Sequence, residues 1–235
     1  MSEGSVEIAR YAGGESGAKA AARAGAAVVV VDAFRASTTI AVLVSKGARV
    51  VPVASIEEAA AVDAALRVGE RGSAKVAGFD FGNSPTELLR ARIPPGSLVV
   101  VSTTNGTRVV EAAEAAPALF TGAFVNASAT AEALSDGGFR EVVVIGCGWR
   151  GRRSSEDEAA AGAILHRLRR RGAGLDARAE RVVEAYLSGP RRRLRRNSAA
   201  RRLDRLGYGK DVWFCLREDA VPVVARLTDG AFVRG

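Results

Sequence analysis

The stretch Ala26–Val44, AAVVVVDAFRASTTIAVLV, sets the fold. Four consecutive valines, Val28 to Val31, have no polar alternation, so they read as a strand covered on both faces, as in a parallel sheet. The run stops at Asp32, and Arg35, Ser37, Thr38 and Thr39 follow before apolar residues resume. A turn needs glycine or asparagine; it does not need an acid, a guanidinium and three hydroxyls. The same pattern recurs at Ser97–Ala113, SLVVVSTTNGTRVVEAA, where Leu98–Val101 gives way to Ser102, Thr103, Thr104, Asn105, Gly106, Thr107 and Arg108. In open α/β sheets ligands lie beyond the carboxyl ends of the strands. There, free N–H groups of helix N-termini, hydroxyls and arginines are suited to phosphate or carboxylate. The two stretches therefore read as two walls of one anion pocket.

Further buried strands are expected at Arg49–Val53, Leu119–Thr121 and Glu141–Gly146. Helices are expected between them. Ser55 and Glu58 form a capping box that opens a helix closing at Gly69; Ser84, Pro85 and Glu87 open a second. Others start at Ser128, at Ser154 or Ser155 (running to Gly172), near Asp176–Leu187 and at Pro190–Leu206. DVWFCLRE and VPVVARL read as strands, with TDG a turn into AFVRG. Alternation of strands and helices implies an α/β layered fold with a mostly parallel or mixed sheet. One domain over residues 1–235 is expected, with 170–235 a candidate C-terminal subdomain.

Composition narrows the function classes. With 48% hydrophobic and only 6% aromatic residues, the core must be built of valine, alanine and leucine. No apolar run approaches the roughly 20 residues that span a bilayer, and the N-terminus lacks a signal pattern, so a cytoplasmic location is expected. Two cysteines make no disulfide framework. The net charge of +8 is concentrated in Pro190–Gly207, which holds eight arginines against Asp204.

Acids cluster at a third strand end, where Glu156, Asp157 and Glu158 follow a Gly/Arg loop. Glu70 in GERG and Asp80 in GFDFGNSP lie in glycine-punctuated loops. Several arginines beside several carboxylates suggest a cation between protein acids and an anionic substrate. Hard oxygen ligands favour Mg²⁺. The residues alone thus point to metal-assisted phosphoryl chemistry.

DAFRASTT, GERG, GFDFGNSP, TTNGTR, FVNASA and SSEDEAAAG occur in one order over most of the chain. Together they resemble the 2-phosphosulfolactate phosphatase family. The resemblance implies a three-layer α/β/α fold and Mg²⁺-dependent hydrolysis of (2R)-2-phospho-3-sulfolactate to 3-sulfolactate and phosphate, a step toward coenzyme M. Such a substrate carries phosphate, carboxylate and sulfonate, a load that Arg35, Arg71, Arg108 and the hydroxyls are suited to hold. Relatives often read Cys-Ala-Gly where this chain has Cys147, Gly148 and Trp149, and the WRGRR loop is unusually basic.

The expected roles are as follows. Asp32 is metal ligand or nucleophile, with Arg35 and Asn105 as further catalytic residues. Glu70, Asp80, Glu156 and Asp157 are candidate metal ligands or bases. Ser37, Thr38, Arg71, Asn83, Thr103, Thr104, Gly106, Thr107 and Arg108 are candidate substrate contacts. Two competing readings exist. Cys147 and Arg153, in Cys-x5-Arg-Ser, match the cradle of cysteine-dependent phosphatases. The Arg-rich helix 190–206 is suited to nucleic acid or an acidic partner, but its Leu194, Ala199 or Ala200, Leu203 and Leu206 stripe fits a solvated helix better, and no aromatics are interleaved for stacking. His166, the one histidine, lies in a helix interior and reads as structural. A homodimer is the default assembly.

Overall fold

The computed structural model describes residues 6–235. The chain opens with β1 (Ile8–Gly13), α1 (Gly14–Arg23), β2 (Ala27–Val31), α2 (Ala36–Ser45), β3 (Arg49–Val53), α3 (Ile56–Ala61), β4 (Leu66–Arg71) and β5 (Ala74–Lys75). It continues with α4 (Pro85–Arg90), β6 (Leu98–Ser102), α5 (Gly106–Ala112), β7 (Leu119–Thr121), α6 (Ala127–Asp136), β8 (Glu141–Gly146) and α7 (Ser155–Arg170). It ends with β9 (Gly174–Leu175), α8 (Ala177–Leu187), α9 (Arg191–Leu194), α10 (Ser198–Arg205), α11 (Gly209–Cys215), β10 (Ala225–Thr228) and β11 (Ala231–Arg234).

The strands form one mixed, mostly parallel sheet in the order β5-β4-β6-β3-β11-β10-β7-β2-β8-β1-β9. The valine runs are covered on both faces because successive residues serve different cores. Val29 and Val31 of β2, with Val142 and Val144 of β8, pack with α6, α7 and α8. Val28 and Val30, with Val143 and Ile145, pack with α1, α2, α4 and α5. The period-2 geometry of a strand thus divides one apolar run between two layers. The second layer has α2 at its centre: every residue from Ala36 to Val44 is buried, as a helix apolar on all sides requires. Leu194, Ala200, Leu203, Val212 and Leu216 join the same cluster as β1, β2 and α7, so the C-terminal helices share a core with the sheet.

Three elements depart from the sequence reading. The Ser55 capping box is present, but its helix stops at Ala61, and Leu66–Arg71 is a strand parallel to β6. Gly69 is no helix stop. A Cβ there would lie 2.7 Å from the Phe79 ring and 2.8 Å from the Ser102 carbonyl, so glycine permits a close approach within the sheet. DVWFCLRE is helical through Cys215, because Asp211, Val212 and Cys215 fall on one buried helical face. The span 190–206 is two helices, broken where the Asn197 side chain caps α10 by accepting from the Ala200 N–H. The opening β1–α1 unit has no counterpart in the sequence reading. β10 and β11 form a hairpin over the expected Thr-Asp-Gly turn, though β10 begins only at Ala225.

Candidate functional site

Asp32 sits where β2 ends and α2 begins. Its Oδ1 accepts from the Ala36 N–H (3.4 Å) and its backbone N–H donates to Ser37 Oγ (2.8 Å). Its Oδ2 faces α5: a Cβ on Gly106 would lie 3.0 Å from it. Glycine at this position therefore lets the TTNGTR loop reach the DAFRASTT loop, and the two quoted walls do meet.

Burial, reinforced by the nearby charges of Glu70 and Glu156, raises the Asp32 carboxyl to about 7, with the Ala36 N–H and Arg35 opposing the shift. Three carboxylates from three distant segments thus lie within electrostatic reach of one another. Glu70 is buried and bridges two loops, accepting from the Ser73 N–H (2.6 Å) and the Thr104 N–H (2.7 Å). Glu156, in the first turn of α7, accepts from Asn197 Nδ2 (2.7 Å), and burial raises its pKa. Asp157 beside it is a clamp: Oδ1 accepts from the Ala33 N–H and Oδ2 from the Gly148 N–H, both at 2.8 Å. It fixes the loops after β2 and β8 to each other. Burial and the charges of Asp32 and Glu156 push its pKa well up.

Asp80 stands apart. It is exposed, and its carboxylate accepts from the Arg67 N–H (2.7 Å). Arg67 lies three residues before Glu70, about 10 Å back along β4 from the carboxyl end of the sheet. Asp80 is an anchor for the loop that follows β5, and the structure does not bring it to Asp32.

The expected substrate contacts divide in the same way. Arg35 is buried, donating to Asp211 Oδ2 and to the Ser73 carbonyl, each at 2.8 Å, with Tyr208 stacked at 4.3 Å. Its charge is directed at Asp211, so it braces the site. Ser37 Oγ bonds the Val30 carbonyl and Thr121 Oγ1, and Thr38 Oγ1 donates to the Ala33 carbonyl, so both hydroxyls tie down the start of α2. Arg71 donates to the Glu70 and Ala54 carbonyls and to Ser102 Oγ. Thr107 Oγ1 donates to the Thr103 carbonyl, and Asn105 Oδ1 accepts from the Arg150 N–H (3.3 Å). Arg108 is exposed on α5. The Oγ1 atoms of Thr103 and Thr104 and Oδ1 of Asn83 are buried without a protein partner. Buried polar atoms are nearly always satisfied, so water or ligand is their natural complement.

Residues that the sequence reading missed complete the site. Asp211, fully buried, also accepts from Ser84 Oγ (2.9 Å), Thr86 N–H (3.2 Å) and Thr86 Oγ1 (2.6 Å), joining α11 to the GNSPT loop and to Arg35. Arg202 of α10 donates through Nε to Ser73 Oγ (2.9 Å) and stacks on Trp149 at 3.9 Å. The Asn197 cap and the Asp211–Ser84 pairing had only weak local signals, an asparagine before a helix and an acid in a presumed strand. The first and second arginine-rich helices are otherwise largely solvated, as their stripe predicts, although Leu206 is exposed.

The Cys147 cradle is not formed. Burial, with Asp32 and Asp157 nearby, pushes the thiol well above its ordinary range, so it is not a thiolate. The loop N–H groups are engaged: Gly148 donates to Asp157, while Trp149 and Arg152 exchange backbone bonds at 2.8 and 3.0 Å. Arg153 pairs with Glu158. His166 lies on α7 beside Tyr186, with ring centroids 6.0 Å apart, away from the acids.

Among the described residues, no group of three or more His, Cys, Asp or Glu side chains is arranged to hold a metal ion. Mg²⁺ characteristically uses one or two carboxylates and completes its shell with water and substrate phosphate. Asp32, crowded by two other carboxylates, fits such an open site. No helix among the described residues is long and apolar enough to cross a membrane.

Residues 15–230 match the family model for 2-phosphosulpholactate phosphatase. A probable 2-phosphosulfolactate phosphatase of Thermotoga petrophila is 40% identical over 209 residues, 87% of this chain and 90% of that protein. One of Gloeobacter violaceus is 38% identical over 217 residues, 88% of this chain and 91% of its own length.

Proposed function

Because the chain belongs to the 2-phosphosulfolactate phosphatase family, whose members are phosphoric monoester hydrolases, we propose that it releases phosphate from (2R)-2-phospho-3-sulfolactate with the aid of Mg²⁺ held at Asp32. The observation that carries this reading is the meeting of the loops after β2 and β6 at the carboxyl end of the sheet, where Gly106 lies against Asp32 Oδ2 and Glu70 accepts from the Thr104 N–H. A carboxylate there gains from a divalent cation, and a cation beside it gains from a phosphate. When bound, Mg²⁺ supplies charge neutralisation at the phosphoryl oxygens and a more acidic bound water.

The chain's own residues supply the positioning. Asp32 holds the cation at the mouth of α2. Glu70 sets the Thr103–Thr104 turn through the Thr104 N–H, and the unpartnered hydroxyls there are donors for substrate oxygens. Asp157 and the Arg35–Asp211 pair hold the three loops in register. Catalysis of this kind rests on positioning and electrostatic stabilisation more than on covalent chemistry by the protein.

The test is a phosphate-release screen over small phosphorylated acids, each with Mg²⁺ and with chelator. Turnover of 2-phospho-3-sulfolactate that chelation abolishes supports the reading. Release confined to another phosphoester would change the substrate and keep the chemistry. Full activity in chelator would remove the metal.

A further inference from the structure

The stripe Ala199, Ala200 and Leu203 fixes the helical phase of α10 against the core. Arg202 lies one residue, about 100°, from Leu203, at the boundary between core and solvent. Arg201 and Arg205 point to solvent, whereas Arg202 is half-buried and turns inward. Its Nε is held by Ser73 Oγ, and its plane rests on Trp149. Among the described residues it forms no ion pair within 4 Å. Glu70 and Glu156 act electrostatically on both Asp32 and Arg202. Both acids already accept hydrogen bonds elsewhere, Glu70 from Ser73 and Thr104 and Glu156 from Asn197.

We infer that Arg202, steadied by Trp149, receives the second oxyanion of the substrate, the carboxylate or sulfonate that is not the phosphate, and so selects polyanionic phosphomonoesters. This rests on the reaction proposed above. A guanidinium fixed at Nε and supported on its face presents its Nη edge as a preset fork, the geometry that matches an oxyanion in two places. Such a pair changes affinity about ten- to a hundredfold. The arginine-rich tract thus contributes one side chain to the cleft and the rest to solvent.

The experiment reads binding, so that it does not depend on turnover. In a Trp213→Phe background, Trp149 is the sole tryptophan, and its fluorescence reports ligands beside Arg202. Three probes are titrated with Mg²⁺ present: 3-sulfolactate, lactate without the sulfonate, and 2-hydroxypropane-1-sulfonate without the carboxylate. The unsubstituted site is expected to bind 3-sulfolactate about ten- to a hundredfold more tightly than one of the two truncated probes, which identifies the group received. Arg202→Gln should erase that preference, and Arg202→Lys should restore part of it. An unchanged preference in Arg202→Gln overturns the inference, as does equal binding of all three probes by the unsubstituted protein. The phosphate-release screen separately tests the reaction: absent turnover with intact, Arg202-dependent preference would sink the proposed reaction and leave the anion site standing.

Discussion

Arg35 and Asp211 are 2% and 0% exposed, and their charges meet at 2.8 Å. Replacing Asp211 by alanine removes the acceptor of four hydrogen bonds, from Arg35, Ser84 Oγ, Thr86 N–H and Thr86 Oγ1. It also leaves the Arg35 guanidinium buried with only the Ser73 carbonyl as acceptor and the Tyr208 face beside it. Breaking a buried pair from one side costs about 3–5 kcal/mol, because the surviving charge is uncompensated. For a chain of this size that corresponds to a fall in melting midpoint of roughly 6–20 °C. Urea unfolding of Asp211→Ala, followed by circular dichroism, measures it directly. The double variant Arg35→Met with Asp211→Leu should recover the part of the loss owed to the stranded charge, since replacing both members of a buried pair by apolar residues is often close to neutral, while the part owed to the Ser84 and Thr86 donors persists. Glu7→Gln, at the exposed Arg140 pair, is the control and should leave the midpoint unchanged within error. If Asp211→Ala cost less than about 1 kcal/mol, the pair would have to be solvated, and the account of Arg35 as a brace would be wrong.

The remaining predictions concern the cleft. The Asp32 carboxyl is raised from 3.8 to about 7, so between those values the folded, chelator-treated protein holds a proton that the unfolded chain has lost. Stability should therefore fall as pH rises from about 4 to 7, and Asp32→Asn should flatten that slope in unfolding experiments while lowering phosphate release at least about a hundredfold. Gly106→Ala should lower kcat/KM roughly tenfold or more with a small change in melting point, because its methyl would press on Asp32 Oδ2 and on Ala36 Cβ at 3.1 Å; unchanged kinetics would show that the loops do not meet there. Cys147→Ser should stay within about threefold of the parent rate, and the native thiol should resist alkylation at pH 8 until the protein is unfolded. Loss of activity in Cys147→Ser with the fold intact would reopen the thiolate reading.

Much of the layered fold is local. Val28–Val31, Leu98–Val101 and Val142–Ile145 are apolar without alternation, and a strand packed on both faces uses such a run. Errors arose where a local signal had a second meaning. Gly69 looked like the end of a helix, yet it is small because Phe79 and Ser102 approach it from other parts of the sheet. Asp211–Cys215 has the composition of a strand, and its helical form follows from packing and from the bonds Asp211 makes to Ser84 and Thr86.

By itself, the sequence determined that the valine-rich strands are buried and that polar side chains crowd their carboxyl ends, because period and apolarity are properties of neighbouring residues. It also carried the ordered motifs of the family. Only the tertiary structure decided which polar groups face one another. It placed Asp32, Glu70 and Glu156 in one field, left Asp80 and Arg108 exposed, gave Arg35 to Asp211, and turned Arg202 from the basic tract onto Ser73 and Trp149. The reason is physical: a side chain's charge and hydrogen-bonding capacity are written in its residue type, but its partner is set by which distant segments the packed core brings within a few ångströms.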